Sequence, residues 1–479
     1  MGLTKLGIIG FTDRGKWVSG YKGTDKSGTE YTGYKTNDIV ITDDGIFRSK
    51  IDNNTSEPTV TDTSKWELWV NKTYINHNTE AMTDSMLPTD SFLISTADGM
   101  RRFKYEDMQA LLCNNLLYPT ITLEATSNPK FNLTSLYMPQ MYQKAMGGYM
   151  MKVKNGNVYA AKLSPTNWGY WEDGSPVDDA SKYETMVRVP DCYFKGEGKK
   201  LTFGGLFPVP GGNKFMSPNW VGAYLMYVDN NGIGHSRPGV APSHSRTMSN
   251  FWSCAQKLGS NFGLANYGFQ CLIEALYQVS FGNLNSQSVI GSGFQSSSWE
   301  ACRDVPMGKC ISLGDGSGKV LYNDATLGNQ YPVKLFGFED LWGKLWEFRP
   351  GIRFYMDGDT RYAVVYSGNQ VSNTANGRKF TIPSSANGEY ITRKTLGAYW
   401  DAFPQAVGGG DSTYYCDGFW ASTSGELLCV GGSADHGSRC GLSSASSLGG
   451  FSDSGAGVGA RLAFYGNPII VSGSELMAM

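Results

Sequence analysis

The chain is short of charge, short of histidine, without paired cysteines and without a long apolar run, and each shortage removes a class of function. Charged residues make up 18% of the 479 residues, and 41 basic against 43 acidic side chains leave a formal net charge of -2. No dense Lys/Arg run is present to follow a phosphate backbone, which argues against nucleic acid as a ligand. No stretch approaches the roughly 20 apolar residues that span a bilayer, so membrane insertion is not expected. The opening MGLTKLGIIGFTDRGKW lacks the charged-then-apolar order of a signal peptide, and Leu6 stands where a myristoylation motif wants Ser or Thr. Nine cysteines (Cys113, Cys192, Cys254, Cys271, Cys302, Cys310, Cys416, Cys429 and Cys440) form no C-x-x-C pair. An odd, scattered set without a signal sequence reads as free thiols made in a reducing cytoplasm. The four histidines, His77, His235, His244 and His436, make no H-E-x-x-H motif, so no metal and no organic cofactor is called for.

What is abundant is turn-forming and aromatic: 60 glycines, 27 tyrosines, 23 phenylalanines and 12 tryptophans. That composition suits β-structure with ordered loops, and the length exceeds one compact core. The expected layout is a small β module over 1–75, a connector with a short helix over 76–117, and one large domain over 118–479. In the module, YKTNDIVITDDGIFRSKIDNN reads as two strands around Asp44-Gly45, with Ile39, Ile41, Ile46 and Phe47 flanking the turn and Trp66 and Trp69 closing a three-stranded unit. Tyr34, the Asn-Asp-Ile-Val strand, Gly45, Phe47, Pro58 and Trp66 resemble small carbohydrate-binding modules of the chitin-binding type. The resemblance implies a sugar site at Tyr34, Trp66 and Trp69. The packing alternative makes these aromatics core, because so small a module has little else to build one from. In the connector, Asp98-Gly99 separates a short strand from a helix over 105–112 carrying Met108, Leu111 and Leu112. The segment STADGMRRFKYEDM is similar to one near the start of tail-fibre proteins of phages infecting gut Bacteroidetes.

The large domain shows a hairpin signal at Asn155-Gly156 and a helix whose Leu272, Ile273, Leu276 and Val279 fall on one apolar face. Short strands and long loops follow. The segment LFGFEDLWGKLWEF from Leu335, the Tyr-Gly-Phe helix start at Tyr267, FGNLNSQ at Phe281 and GVGARLAFYG from Gly457 stand in order. Together they resemble C-type-lectin-like domains of the formylglycine-generating-enzyme type, as in phage tail fibres and retroelement-diversified proteins. The resemblance implies a mainly β fold with α+β character, a twisted antiparallel sheet flanked by helices, and ligand contacts from loops near the C-terminus. It further implies a virion protein assembled in the host cytoplasm, a homotrimer that meets other virion proteins and binds a host cell-surface glycan or protein.

Gly431 to Gly455 is the candidate binding loop. Its Ser433, Asp435, His436, Ser438, Arg439, Ser443, Ser444, Ser446, Ser452 and Asp453 supply small polar groups between apolar anchors, Leu427, Leu428 and Val430 before it and Leu462 and Phe464 after. Two other classes of function stay open. One is a virion protein that uses the fold for assembly. The other is an enzyme, a sulfatase-modifying-type oxidase or a glycan-active hydrolase. For the oxidase, Cys429 and Cys440 lie in the right neighbourhood, but ten intervening residues separate them where the family has a much tighter pair. For a hydrolase, Glu339 and Asp340 are adjacent, so a strand would send them to opposite sides. They read as turn and hydrogen-bonding residues. His235 and His244, with Arg237 and Arg246, read as a polar surface loop, and Asp357-Gly358-Asp359 is too short for an EF-hand.

Overall fold

The computed structural model describes residues 12–24, 30–36, 38–42, 45–59, 63–71, 91–96, 99–104, 118–122, 130–132, 137–366, 377–412 and 415–479. The chain forms two compact units, Met1–Asn114 and Asn115–Met479. Strands dominate both, and among the described residues no helix is long and apolar enough to cross a membrane.

In the first unit the strands Thr12–Lys16, Asp38–Thr42, Gly45–Ser49 and Trp66–Asn71 pair in that order. This sheet therefore has one strand more than the three expected, the extra one joining in parallel to Asp38–Thr42, and Lys22–Thr24 and Glu30–Thr32 form a separate antiparallel pair. The hairpin is present with Thr42 opposite Gly45. Tyr34, Val40, Phe47 and Trp66 form the core at 1% exposure or less. Tyr21 stacks on Tyr34 with ring centroids 4.6 Å apart, and Trp66 Nε1 donates to the Ser56 carbonyl at 3.0 Å. This corrects the sugar-platform reading for Tyr34 and Trp66: buried rings offer no face to a saccharide. Trp69 lies in its strand, with its side chain outside the described residues. Past Asp98, Gly99–Lys104 is a strand paired with Ser91–Thr96. The helix expected over 105–112 lies outside the described residues.

The second unit is built on a sheet of seven described strands, in the order Phe262–Leu264, Arg461–Phe464, Trp220–Leu225, Glu184–Arg188, Gly147–Lys154, Asn157–Lys162 and Ile469–Ile470. The Asn155-Gly156 hairpin is there, with Lys154 opposite Asn157 and φ of +52° and +78° at the two turn residues. Two positive φ values in a two-residue loop match the twist of the flanking strands. The helix Met248–Gln256 starts at Thr247, whose side chain accepts the Asn250 N–H, and buries Met248, Phe251, Cys254 and Ala255 in the sheet's core. The helix Tyr267–Phe281 is capped by Asn266 and ends at Gly282, with φ of +60°. It is buried on nearly every side, not on the single face its apolar spacing implies. Gln270 and Glu274 go inside with it because partners meet them there. Gln270 Nε2 donates to Glu274 at 2.9 Å and to the Leu442 carbonyl at 2.8 Å, while Lys394 pairs with Glu274.

A second sheet of seven described strands carries the candidate binding loop, in the order Phe403–Val407, Ala386–Thr395, Gly418–Ala421, Ala445–Ser447, Cys429–Val430, Trp346–Phe348 and Val458–Gly459. The Trp-Glu-Phe strand and the Gly-Ala-Arg-Leu segment are tied by an ion triad with no exposed side chain. Arg461 donates to both Glu347 oxygens at 2.9 and 3.0 Å, and Arg349 donates to Glu347 at 2.9 Å. Arg461 also donates to the carbonyls of Gly222, Ala223 and Glu339. Charges buried this deeply persist only when bonded on several sides. Trp342 is fully buried with Nε1 bonded to the Gly291 carbonyl at 2.9 Å, a core residue in the same segment.

Candidate ligand-binding surface

The loop after Val430 leaves its strand through Gly431 and Gly432, both at positive φ. A Cβ at Gly431 would lie 2.4 Å from the Leu341 carbonyl oxygen, so only glycine turns here. A short helix, Ala434–Arg439, follows and reverses at Gly437. Ser433 Oγ sits 2.6 Å from Asp435 Oδ1 and 2.8 Å from His436 Nδ1, closing the first turn on itself. Below it, Gln287 Nε2 donates to the Ser438 carbonyl at 2.7 Å and the Cys416 carbonyl at 3.2 Å.

The polar residues of this segment divide by burial, which corrects the expectation of one continuous polar surface. Ser433, Ser443 and Ser444 are inside. Ser443 N–H donates to Asp417 at 2.8 Å and its hydroxyl to Glu274 at 2.9 Å, while Ser444 Oγ donates to the Arg439 carbonyl at 2.9 Å. Ser443 and Ser444 thus satisfy interior partners, Ser433 bonds within its own turn, and none of the three has a face for a ligand. Ser446 is half-buried in its strand, and Asp453 is half-buried, accepting the Gly455 N–H at 3.0 Å. Asp435, Arg439 and Ser452 are exposed, with His436 and Ser438 partly so.

Around the exposed set the fold adds aromatics from other strands. The His436 ring packs edge-on between Trp346 and Trp420, with centroids 5.3 and 4.7 Å away, and the two indoles lie 5.3 Å apart at 88°. Trp420 is half-buried. Arg439 lies over the Tyr390 ring at 5.3 Å, and the Tyr390 and Ser438 hydroxyls bond at 2.6 Å. Burial holds the His436 imidazole below its usual range, with Asp435 opposing, so the ring is neutral at physiological pH. Trp420 and Tyr390 were missed in the sequence because each reads as a strand residue. The signal that could have found Trp420 is its place beside Phe419 in GFWA, where alternation buries Phe419 and leaves the next ring on the opposite face. Beneath the loop, burial raises the Asp417 carboxyl from the usual 3.8 to about 8.

The other sequence candidates are structural. Cys429 and Cys440 are buried and unpaired, and burial pushes both thiols up, so neither supplies the thiolate that redox chemistry uses. Glu339 accepts the backbone N–H groups of Gly308, Lys309 and Cys310 at 2.7, 3.0 and 2.8 Å. Asp357 pairs with Lys379 at the surface. His235 is not on a surface loop: it is buried with Nδ1 2.8 Å from Glu184, which also accepts Arg237. His244 lines a shallow open groove with Ser245, Arg246, Thr247, Asn250 and Ser454. Among the described residues no three His, Cys, Asp or Glu side chains converge as metal ligands would.

No family profile matches the chain, and no curated protein matches it in sequence. Among solved structures, the Major Tropism Determinant P3c variant aligns at 15% identity over 66% of this chain and 72% of its own, with a TM-score of 0.25. The M1 variant aligns at 16% identity over 68% and 73%, with a TM-score of 0.25. The U1 variant aligns at 12% identity over 93% and 99%, with a TM-score of 0.26. Likeness at this level assigns neither a fold nor a function to the chain.

Proposed function

We propose that the chain is a phage virion appendage protein, a tail or head fibre subunit, that binds a host-surface glycan or protein through the surface around Trp420 and His436. The observation that carries the reading is the partly exposed indole–imidazole cluster flanked by the exposed Asp435 and Arg439 on a floor of buried hydrogen bonds. Aromatic faces give large contact area to a sugar ring or an apolar side chain, and a carboxylate beside a guanidinium orients hydroxyl or charged partners. The ordered resemblance of the Leu335–Phe348 and Gly457–Gly466 segments to phage receptor-binding domains supports the same class. On this reading the domain over 118–479 has the lectin-like fold and the residues before it attach the protein to the particle. The homotrimer belongs to the same proposal, and light scattering of the purified protein checks it.

The test is attachment to host cells by Asp435→Ala/Arg439→Ala. Both side chains are exposed, so melting should stay close to wild type while attachment falls by about fivefold or more, equivalent to about 1 kcal/mol of binding. Wild-type attachment by this variant would place the receptor site elsewhere on the chain.

A further inference from the structure

A buried Lys–Asp pair lies outside the candidate binding surface, in the turn between the strands Phe338–Glu339 and Trp346–Phe348. Lys344 Nζ and Asp340 Oδ2 lie 3.6 Å apart, and both side chains have zero exposure. The Phe294 ring centroid is 4.8 Å from Nζ. The turn is shut tightly: Asp340 has a φ of +50°, and a Cβ at Gly343 would lie 2.9 Å from Gly293 Cα. Every polar atom of the pair but one is bonded. Nζ donates to the Val305 carbonyl at 2.7 Å, and Oδ1 accepts the Val333 N–H at 3.3 Å. Asp340 Oδ2 accepts no hydrogen bond among the described residues. The neighbouring Glu339 is no competitor, since its carboxylate is turned to the N–H groups of residues 308–310.

We infer that Asp340 and Lys344 condense to a side-chain amide, an intramolecular cross-link that the chain forms on itself with loss of one water. The position of the atoms supports each step. Burial pushes the Asp340 carboxyl up and the Lys344 ammonium down, which favours transfer of a proton from Nζ to Oδ2 and leaves a neutral acid facing a neutral amine. The Nζ lone pair attacks Asp340 Cγ and the Nζ–Cγ bond forms. The Cγ–Oδ2 bond then breaks, and Oδ2 leaves as water with the carboxyl proton and one proton from nitrogen. One N–H remains on the amide. In water the hydrated ion pair opposes this condensation; here neither charge has water to return to, so the opposing solvation is missing. The product also keeps both existing bonds, N–H to the Val305 carbonyl and Oδ1 from the Val333 N–H. The oxygen expelled is the one that the fold leaves unbonded.

The intact mass of the purified wild-type chain decides the matter. The expected result is a mass one water below that of the sequence. Trypsin should fail at the acylated Lys344, and because Pro350 blocks cleavage after Arg349, it should release Leu335–Arg353 as a single peptide one water light, with no fragment ions from cleavage between Asp340 and Lys344. A wild-type chain at full sequence mass overturns the proposal, and so does a lost water that maps to any other peptide. Lys344→Arg keeps the cation without the acylable amine and should run at its full sequence mass; the same water loss in that variant also overturns it.

Discussion

Asp417 shows how a single buried side chain ties stability to pH. Its carboxyl is raised to about 8 by burial, against the usual 3.8, with the Ser443 N–H and Lys394 acting in the opposite direction. Between about pH 4 and pH 8 the native chain therefore holds a proton that the unfolded chain has lost. Stability from this group is full below the lower value, falls as pH rises through the window, and levels off above the upper one. Asp417→Asn, which keeps the shape without the charge, should flatten that slope and gain at least about 1 kcal/mol over wild type at pH 8. Denaturant unfolding at pH 5 and pH 8 measures both. Neither the burial nor its direction is visible in the sequence, where Asp417 precedes Gly418 and reads as a turn residue. It lies inside because Ser443 and Gln287, 26 and 130 positions away, come to meet it.

Among the elements, the hairpins are the most legible. Asn155-Gly156 is recognisable because the requirement for two positive φ values is local, and only a few residues meet it cheaply. The helix Tyr267–Phe281 is legible in existence but not in environment. Periodicity reports which residues are apolar, and it is silent on whether polar ones find partners inside, as Gln270 and Glu274 do. The cap is another local device, with Asn266 Oδ1 accepting the Phe269 N–H at 2.9 Å and Asn266 Nδ2 reaching the Met216 carbonyl at 2.8 Å. Asn266→Ala removes a bond at each end of the side chain and should cost about 2 kcal/mol, at the upper end for a helix cap. Thermal melting checks it, and a loss below a few tenths of a kcal/mol would mean the helix is held by packing alone.

For the whole second unit, the Glu347–Arg349–Arg461 triad is the joint between its two large sheets. Arg461 comes from the first sheet, Glu347 from the second, and the guanidinium also reaches carbonyls at Gly222 and Ala223 in the strand beside its own. Glu347→Gln leaves two buried cations facing a neutral amide and should cost about 3–5 kcal/mol, seen as a lower urea midpoint. The contrast with Asp435 and Arg439 is direct: exposed charges on the candidate surface should cost little stability when removed, and the buried triad should cost much.

Properties that depend on neighbours along the chain were readable from the order of residues: the β-rich composition, the hairpin turns and the helix at Tyr267. Exposure was not. Ser443 and Ser444 look the same on paper as Ser452, and Tyr34 and Trp66 look the same as Trp420. Their fates diverge because burial of a polar group depends on partners distant in sequence, and exposure of a ring depends on which face of a strand the packed core covers. The candidate surface itself, assembled from Trp346, Tyr390, Trp420 and the short helix at Ala434–Arg439, exists only once strands far apart in the chain lie side by side.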